Sequence, residues 1–136
     1  MSDGGLVGIV LVSHSAEVAA CVAELARHLA SGGTSVPVAP AGGTEGGGIG
    51  TSAELVAAAA ASVDRGAGVA LLTDLGSAVL TVKALLAEGD ELPPGSRLVD
   101  APFLEGAVAA VVTAATGADL DAVAAAATEA YTYRKV

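Results

Sequence analysis

The sequence predicts an α/β fold: a doubly wound, mainly parallel four-stranded sheet of order 2-1-3-4 with helices on both faces. Three observations predict it. Short, continuous apolar runs alternate four times with segments of helical period, as in parallel sheets crossed over by helices. The first run is apolar throughout, as in a strand buried on both faces. Proline in the second run places that strand at an edge, because proline cannot donate to a ladder on both sides.

The first strand covers residues 6–12, LVGIVLV, and Ser13-His14-Ser15 follows directly. Val18, Cys21, Val22, Leu25 and Leu29 then recur at helical spacing, so they form the expected buried stripe, with Cys21 in the core. Ser15 is the natural N-cap, and Ser31-Gly32-Gly33 closes the helix. Residues 36–39, with Pro37, form the second strand and lead into the glycine-dense loop 41–50. Thr51 or Ser52 caps a second helix running to about residue 64; for Thr51 a cap is expected ahead of a phosphate contact.

The third strand, 69–73, ends at Asp74-Leu75-Gly76-Ser77, and a helix follows to about residue 88. Pro93-Pro94-Gly95 marks residues 89–96 as a loop. A short fourth strand, 97–99, leads through Asp100-Ala101-Pro102 to helices over 103–115 and 119–130, the latter capped by Asp119. Residues 131–136 match no pattern. With no repeat and no long linker, residues 1–136 read as one domain, a size that supports a single hydrophobic core.

Composition narrows the function. Of 136 residues, 32 are alanine and three are aromatic, so the core must rest on many small contacts. The net charge of −9 and the scattered basic residues disfavour nucleic acid and anionic membrane as partners and favour basic proteins. One cysteine and two histidines rule out a Cys-rich metal site and leave a catalytic zinc short of ligands, so no metal is expected. There is no signal-peptide pattern and no run of 18 apolar residues, so a soluble cytoplasmic protein is expected.

In an open sheet of this order, ligands gather at the C-terminal strand ends where the order reverses. The turns after strands 1, 2 and 3 meet there, bringing together His14, the glycine loop and Asp74. A helix N-terminus offers unpaired N–H groups and partial positive charge to a phosphoryl group. Neutral imidazole accepts phosphate at one nitrogen, while Asp74, 60 residues on, would hold the other and fix the tautomer. Ser13, Ser15, Gly42, Gly43, Thr51, Gly76 and Ser77 are the expected surroundings of that phosphate. The glycine loop is neither a P-loop nor a dinucleotide fingerprint, for it lacks Gly-Lys-Ser/Thr and follows the second strand. No Gly-x-Ser-x-Gly elbow makes Ser13 or Ser15 a nucleophile. His28 is a partly exposed bystander.

The run from Ile9 to Ser15, IVLVSHS, resembles the start of the DhaM family, the phosphotransfer subunits of dihydroxyacetone kinases. It resembles more distantly the enzyme IIA domains of the mannose-type sugar phosphotransferase family. Gly42-Gly43-Thr44, Ile49-Gly50-Thr51-Ser52, Thr73-Asp74-Leu75-Gly76-Ser77-Ala78 and the run APFLEGA from Ala101 to Ala107 follow in family order. The resemblance implies a homodimer whose histidine, His14 at Nε2, is phosphorylated by the carrier protein HPr with Asp74 as its partner. It implies transfer to ADP bound on the subunit DhaL, the resulting ATP then phosphorylating dihydroxyacetone on DhaK. No cofactor is expected on this chain, since ADP, ATP and magnesium would belong to DhaL. The alternatives are the IIA component of a mannose-type sugar permease and a non-catalytic binding module of flavodoxin-like shape.

Overall fold

The computed structural model describes residues 5–136. In chain order the elements are β1 (Gly8–Ser13), α1 (Ala16–Leu29), β2 (Val38–Gly42), α2 (Ala53–Val63), β3 (Val69–Thr73), α3 (Gly76–Glu88), β4 (Ser96–Leu98), α4 (Phe103–Ala115) and α5 (Leu120–Glu129). The strands are all parallel and lie in the order β2-β1-β3-β4, the order expected from the sequence. Side chains alternate across the central strand, because successive Cβ atoms point to opposite faces. Ile9 and Leu11 pack with α1, α4 and α5; Val10 and Val12 pack with α2 and α3. Each such Val, Leu or Ile stabilises the fold by roughly 1.5–3 kcal/mol relative to exposure.

The rotation of α1 differs from expectation. Its buried face is Ala19, Ala23 and Ala26, continued by Ala30, whereas Val18, Leu25 and Leu29 are exposed. Cys21 is exposed too, not a core residue. Two stripes of equal period run along this helix about one position apart. Methyl side chains let the helix axis sit close to β1 and β2, so the alanine stripe makes the contact and the bulkier stripe turns outward.

The second strand begins two residues later than expected. Gly33–Ser35 forms a single 3₁₀ turn and Val36 fills the core before β2 starts at Val38. Pro37 therefore precedes the strand, its carbonyl accepting the Ile9 N–H at 2.9 Å. The proline inside β2 is Pro40, opposite Leu11. The edge argument holds for it, because among the described residues β2 pairs only with β1. Strand β4 starts and ends one residue early, though the Val99 N–H still donates to the Leu71 carbonyl at 2.8 Å. Asp119 caps α5, accepting from the Ala122 N–H at 2.9 Å.

The end of α5 and the patternless residues after it strap across the β4–α4 turn. The Thr128 hydroxyl donates to the Asp100 carbonyl and the Tyr131 hydroxyl to the Asp100 carboxylate, each at 2.7 Å, and Lys135 pairs with Glu105 at 2.8 Å. Among the described residues, no helix is long and apolar enough to cross a membrane.

Candidate phosphoryl-transfer site

The C-terminal ends of β1 and β3 lie side by side, with Val12 opposite Thr73. The residues that follow these strands are therefore neighbours despite their separation in sequence. The Asp74 N–H extends the ladder by donating to the Val12 carbonyl at 3.0 Å, which aims its carboxylate at the β1–α1 turn. Its Oδ1 lies 2.9 Å from His14 Nδ1 and accepts the Leu75 N–H at 2.6 Å. Its Oδ2 accepts the His14 N–H at 3.0 Å and the Ser13 hydroxyl at 2.9 Å. The Ser13 hydroxyl, itself buried, accepts in turn from the Ser15 N–H at 3.1 Å. Burial pushes the Asp74 carboxyl up, but the bonds from the His14 N–H, the His14 ring, Ser13 and Leu75 outweigh it. The net effect holds the carboxyl below its ordinary value.

This bonding fixes the ring. An ionised carboxylate only accepts, so Nδ1 carries a proton, and in the neutral ring the lone pair lies on Nε2. Nε2 points to the Ser77 hydroxyl in the first turn of α3, with which it is in hydrogen-bond contact. Nε2 thus faces the N-terminus of α3 and not that of α1. The α1 terminus is already capped, by the Ser15 hydroxyl accepting from Val18 N–H at 3.2 Å. No side chain caps α3, which leaves its first-turn amides, including those of Gly76 and Ser77, directed at the space beside Nε2. The ring side chain is about one-fifth exposed, at 20%, so a second protein can reach it.

The glycine loop supports the site from below. The Gly43 N–H donates to the Ser13 carbonyl at 3.1 Å, and the Gly50 N–H to the His14 carbonyl at 2.9 Å. Gly42 allows the end of β2 to meet the start of α1, since a Cβ there would lie 2.3 Å from the Ser15 carbonyl oxygen. Gly42→Ala is expected to lower stability by about 1–3 kcal/mol through this overlap, read as an earlier midpoint in chemical denaturation. An unchanged midpoint would show that the β2 end yields freely.

Of the two candidate caps for α2, Thr51 is not the one used. Ser52 caps it, accepting from Leu55 N–H at 3.2 Å. The Thr51 hydroxyl instead meets Thr81 Oγ1 at 2.9 Å, and the Thr81 hydroxyl donates to the Ser77 carbonyl at 3.1 Å. Thr81 ties the glycine loop to the first turn of α3 and was not evident from the sequence. The available signal was its spacing: four residues past Ser77 on one helical face. The Leu75 amide was missed as well, since a backbone donor leaves no trace in residue identity. Beyond Asp74 a cleft of about 520 Å³ opens, walled by Val79, Lys83, Asp100 and Tyr131. His28 is exposed beside Glu24, and no three metal-ligating side chains converge among the described residues.

Known proteins share this arrangement of sequence and fold. The family model described as "PTS system fructose IIA component" matches residues 8–124. The PEP-dependent dihydroxyacetone kinase phosphoryl donor subunit DhaM of Escherichia coli K12 is 39% identical over 120 residues. That match spans 87% of this chain but 25% of the relative, so this chain corresponds to about a quarter of it. A second DhaM, of dihydroxyacetone kinase 2 from Listeria innocua, is 33% identical over 108 residues, covering 79% of this chain and 85% of that protein. The crystal structure of EF1359, a protein of unknown function, superposes with a TM-score of 0.82 at 27% identity, covering 96% of this chain and 98% of that one. With most of its length matched by the family model and by DhaM relatives, the chain belongs to the PTS system fructose IIA component family, in the branch that resembles DhaM.

Proposed function

We propose that the chain is a phosphohistidine carrier of a PEP-dependent dihydroxyacetone kinase, its His14 taking a phosphoryl group from HPr and passing it to ADP held on DhaL. The observation that carries this reading is the 2.9 Å contact of Nδ1 with Asp74, which leaves Nε2 unprotonated beside the uncapped start of α3. The Nε2 lone pair attacks phosphorus as the bond to the donor's ring nitrogen breaks. The Nδ1 proton stays in place, and Asp74 stabilises the positive charge the ring gains. The Ser77 hydroxyl turns from Nε2 to a phosphoryl oxygen, joined by the amides of α3. On the return step an ADP phosphate oxygen attacks, the Nε2–P bond breaks, and the neutral ring is restored. ADP and magnesium come with DhaL, and the ATP formed phosphorylates dihydroxyacetone on DhaK.

Incubation with enzyme I, HPr and phosphoenolpyruvate should place one acid-labile phosphate on His14, seen by mass spectrometry under conditions that preserve phosphohistidine. Absence of that phosphate would overturn the reading and favour a non-catalytic binding module. The matched family's description favours a second reading, the IIA component of a sugar permease. Transfer to a permease IIB domain but not to ADP-loaded DhaL would establish it.

The proposal extends to a homodimer of a soluble, cytoplasmic protein. Val18, Leu25 and Leu29 of α1 and Leu104, Val112 and Tyr133 around α4 are all exposed, and the last five border one groove. Together they form an apolar surface of the kind that two copies of a chain cover in an interface. Leu29→Glu should shift the mass measured by light scattering from two chains to one. A wild-type mass of one chain would remove the homodimer.

A further inference from the structure

Ser77 and Thr81 are the two hydroxyl residues of α3. They stand four positions apart, on one face of the helix. Nothing in helix formation favours Thr81. A β-branched side chain is restricted at χ1 in a helix, and a hydroxyl bonded back one turn tends to loosen and bend the helix. The Thr81 hydroxyl does bond back, donating to the Ser77 carbonyl at 3.1 Å. That uses its one proton, so in the 2.9 Å contact between the two threonines Thr51 donates and Thr81 accepts. Both are half-buried, where a hydroxyl left unpaired would be destabilising.

The Thr51–Thr81 bond closes a ring of contacts through the site. The Gly50 N–H holds the His14 carbonyl at 2.9 Å. The chain continues to Thr51, which bonds Thr81. Thr81 bonds the Ser77 carbonyl, and the Ser77 hydroxyl touches His14 Nε2. Among the described residues, Thr51–Thr81 is the one hydrogen bond between residues 41–52 and α3. At its base α3 is tied by the Leu75 N–H to Asp74, and the Asp74 N–H bonds the Val12 carbonyl. A helix tied only at its base is free to tilt about that point. A second tie, one turn along, fixes the tilt. This tie is made to the Ser77 carbonyl and not to its hydroxyl. The hydroxyl therefore stays free to turn from Nε2 to a phosphoryl oxygen while the backbone that carries it keeps its place.

We propose that Thr81, held by Thr51, is a positioning residue for phosphoryl transfer. It fixes the first turn of α3 against the His14 ring, and so sets where the Ser77 hydroxyl and the first-turn amides meet the phosphoryl oxygens. Donors held in place before the charge arrives need no rearrangement at the moment of transfer. The inference rests on the carrier reading of His14. Thr81 acts through Ser77 and not on the phosphoryl group itself.

The test uses Thr81→Val, which keeps the shape and removes the hydroxyl, Thr81→Ser, which keeps the hydroxyl, and Thr51→Val, which removes the partner outside the helix. Phosphorylation is timed with phosphorylated HPr over a range of concentrations and with phosphoramidate, a small donor that needs no docking. Thr81→Val should lower kcat with HPr roughly tenfold at little-changed KM, and slow phosphoramidate by a similar factor, because misplaced donors act on the chemical step. The phosphorus NMR resonance of its phosphohistidine should move from the wild-type position, since that resonance reports the donors at the phosphoryl oxygens. Thr81→Ser should keep most of the wild-type rate and the wild-type resonance. Thr51→Val should slow transfer as Thr81→Val does, and the double variant should be no slower than the slower single, as for two groups of one bond. Wild-type rates in Thr81→Val overturn the proposal, as do wild-type rates in Thr51→Val should Thr81→Val not fold. A Thr81→Ser protein as slow as Thr81→Val overturns it too, by making the effect one of packing. So does a raised KM for HPr with phosphoramidate unaffected, which would make it one of docking. If wild type takes phosphate from neither donor, the carrier reading itself has failed, and not the brace alone.

Discussion

His14→Ala is expected to abolish phosphate incorporation from HPr, with no detectable acid-labile phosphate and no support for dihydroxyacetone phosphorylation in the reconstituted system. The expected loss is total because no other group replaces Nε2. The nearest hydroxyl, that of Ser77, is a poor nucleophile, and removing the ring removes the imidazole it contacts. The fold should survive. The ring is a surface group packed in a turn, and its backbone N–H and carbonyl, which bond Asp74 and Gly50, remain. Circular dichroism and an unfolding midpoint close to wild type would separate lost chemistry from lost structure. Phosphate still incorporated by a folded His14→Ala protein would sink the assignment.

Asp74→Asn is expected to have the next largest effect, slowing transfer by about 10²–10⁴-fold, the range for loss of a tautomer-fixing partner. Asp74 accepts four hydrogen bonds, two at each oxygen. An amide offers one oxygen and one NH₂, so either orientation sets a donor against a fixed backbone N–H. With NH₂ toward Nδ1, the ring must accept there, the proton moves to Nε2 and the lone pair is lost. With NH₂ toward Oδ2, the His14 N–H loses its acceptor, at a cost of about 1–3 kcal/mol. The pH dependence of stability should change as well. The folded Asp74 carboxyl titrates below its ordinary value, so its contribution to stability is complete above the usual carboxylate range. It is lost as pH falls through the lowered value. The variant should be less stable than wild type near neutrality, with the gap closing in acid. Unchanged transfer kinetics in Asp74→Asn would detach the carboxylate from the mechanism.

Much of the architecture was legible because it depends on local signals. The apolar run before Ser13, Asp119 at its cap and the glycine punctuation set the element order, and the sheet order follows; the edge strand was right although its proline is Pro40 and not Pro37. That order alone brings residues 14 and 74 to neighbouring strand ends, which is why the pairing of His14 with Asp74 could be expected across 60 residues of chain. The apolar stripe on α1 was misplaced for a reason specific to this composition. In an alanine-rich helix two stripes share one period, and only the distance of closest approach to the sheet selects between them. Thr51 shows the same limit at the site. Its hydroxyl suits a helix cap in isolation, but Ser52 stands one residue closer to the helix, and Thr81 from another element takes the Thr51 hydroxyl.

By itself the sequence determined which turns meet and which side chains they carry, since strand period, capping and proline geometry act over a few residues. The tertiary structure alone decided which helix end faces Nε2 and which hydroxyl lies against it. Those outcomes turn on helix rotation and on contacts of about 3 Å between segments far apart in the chain, and such distances exist only once the layers have packed.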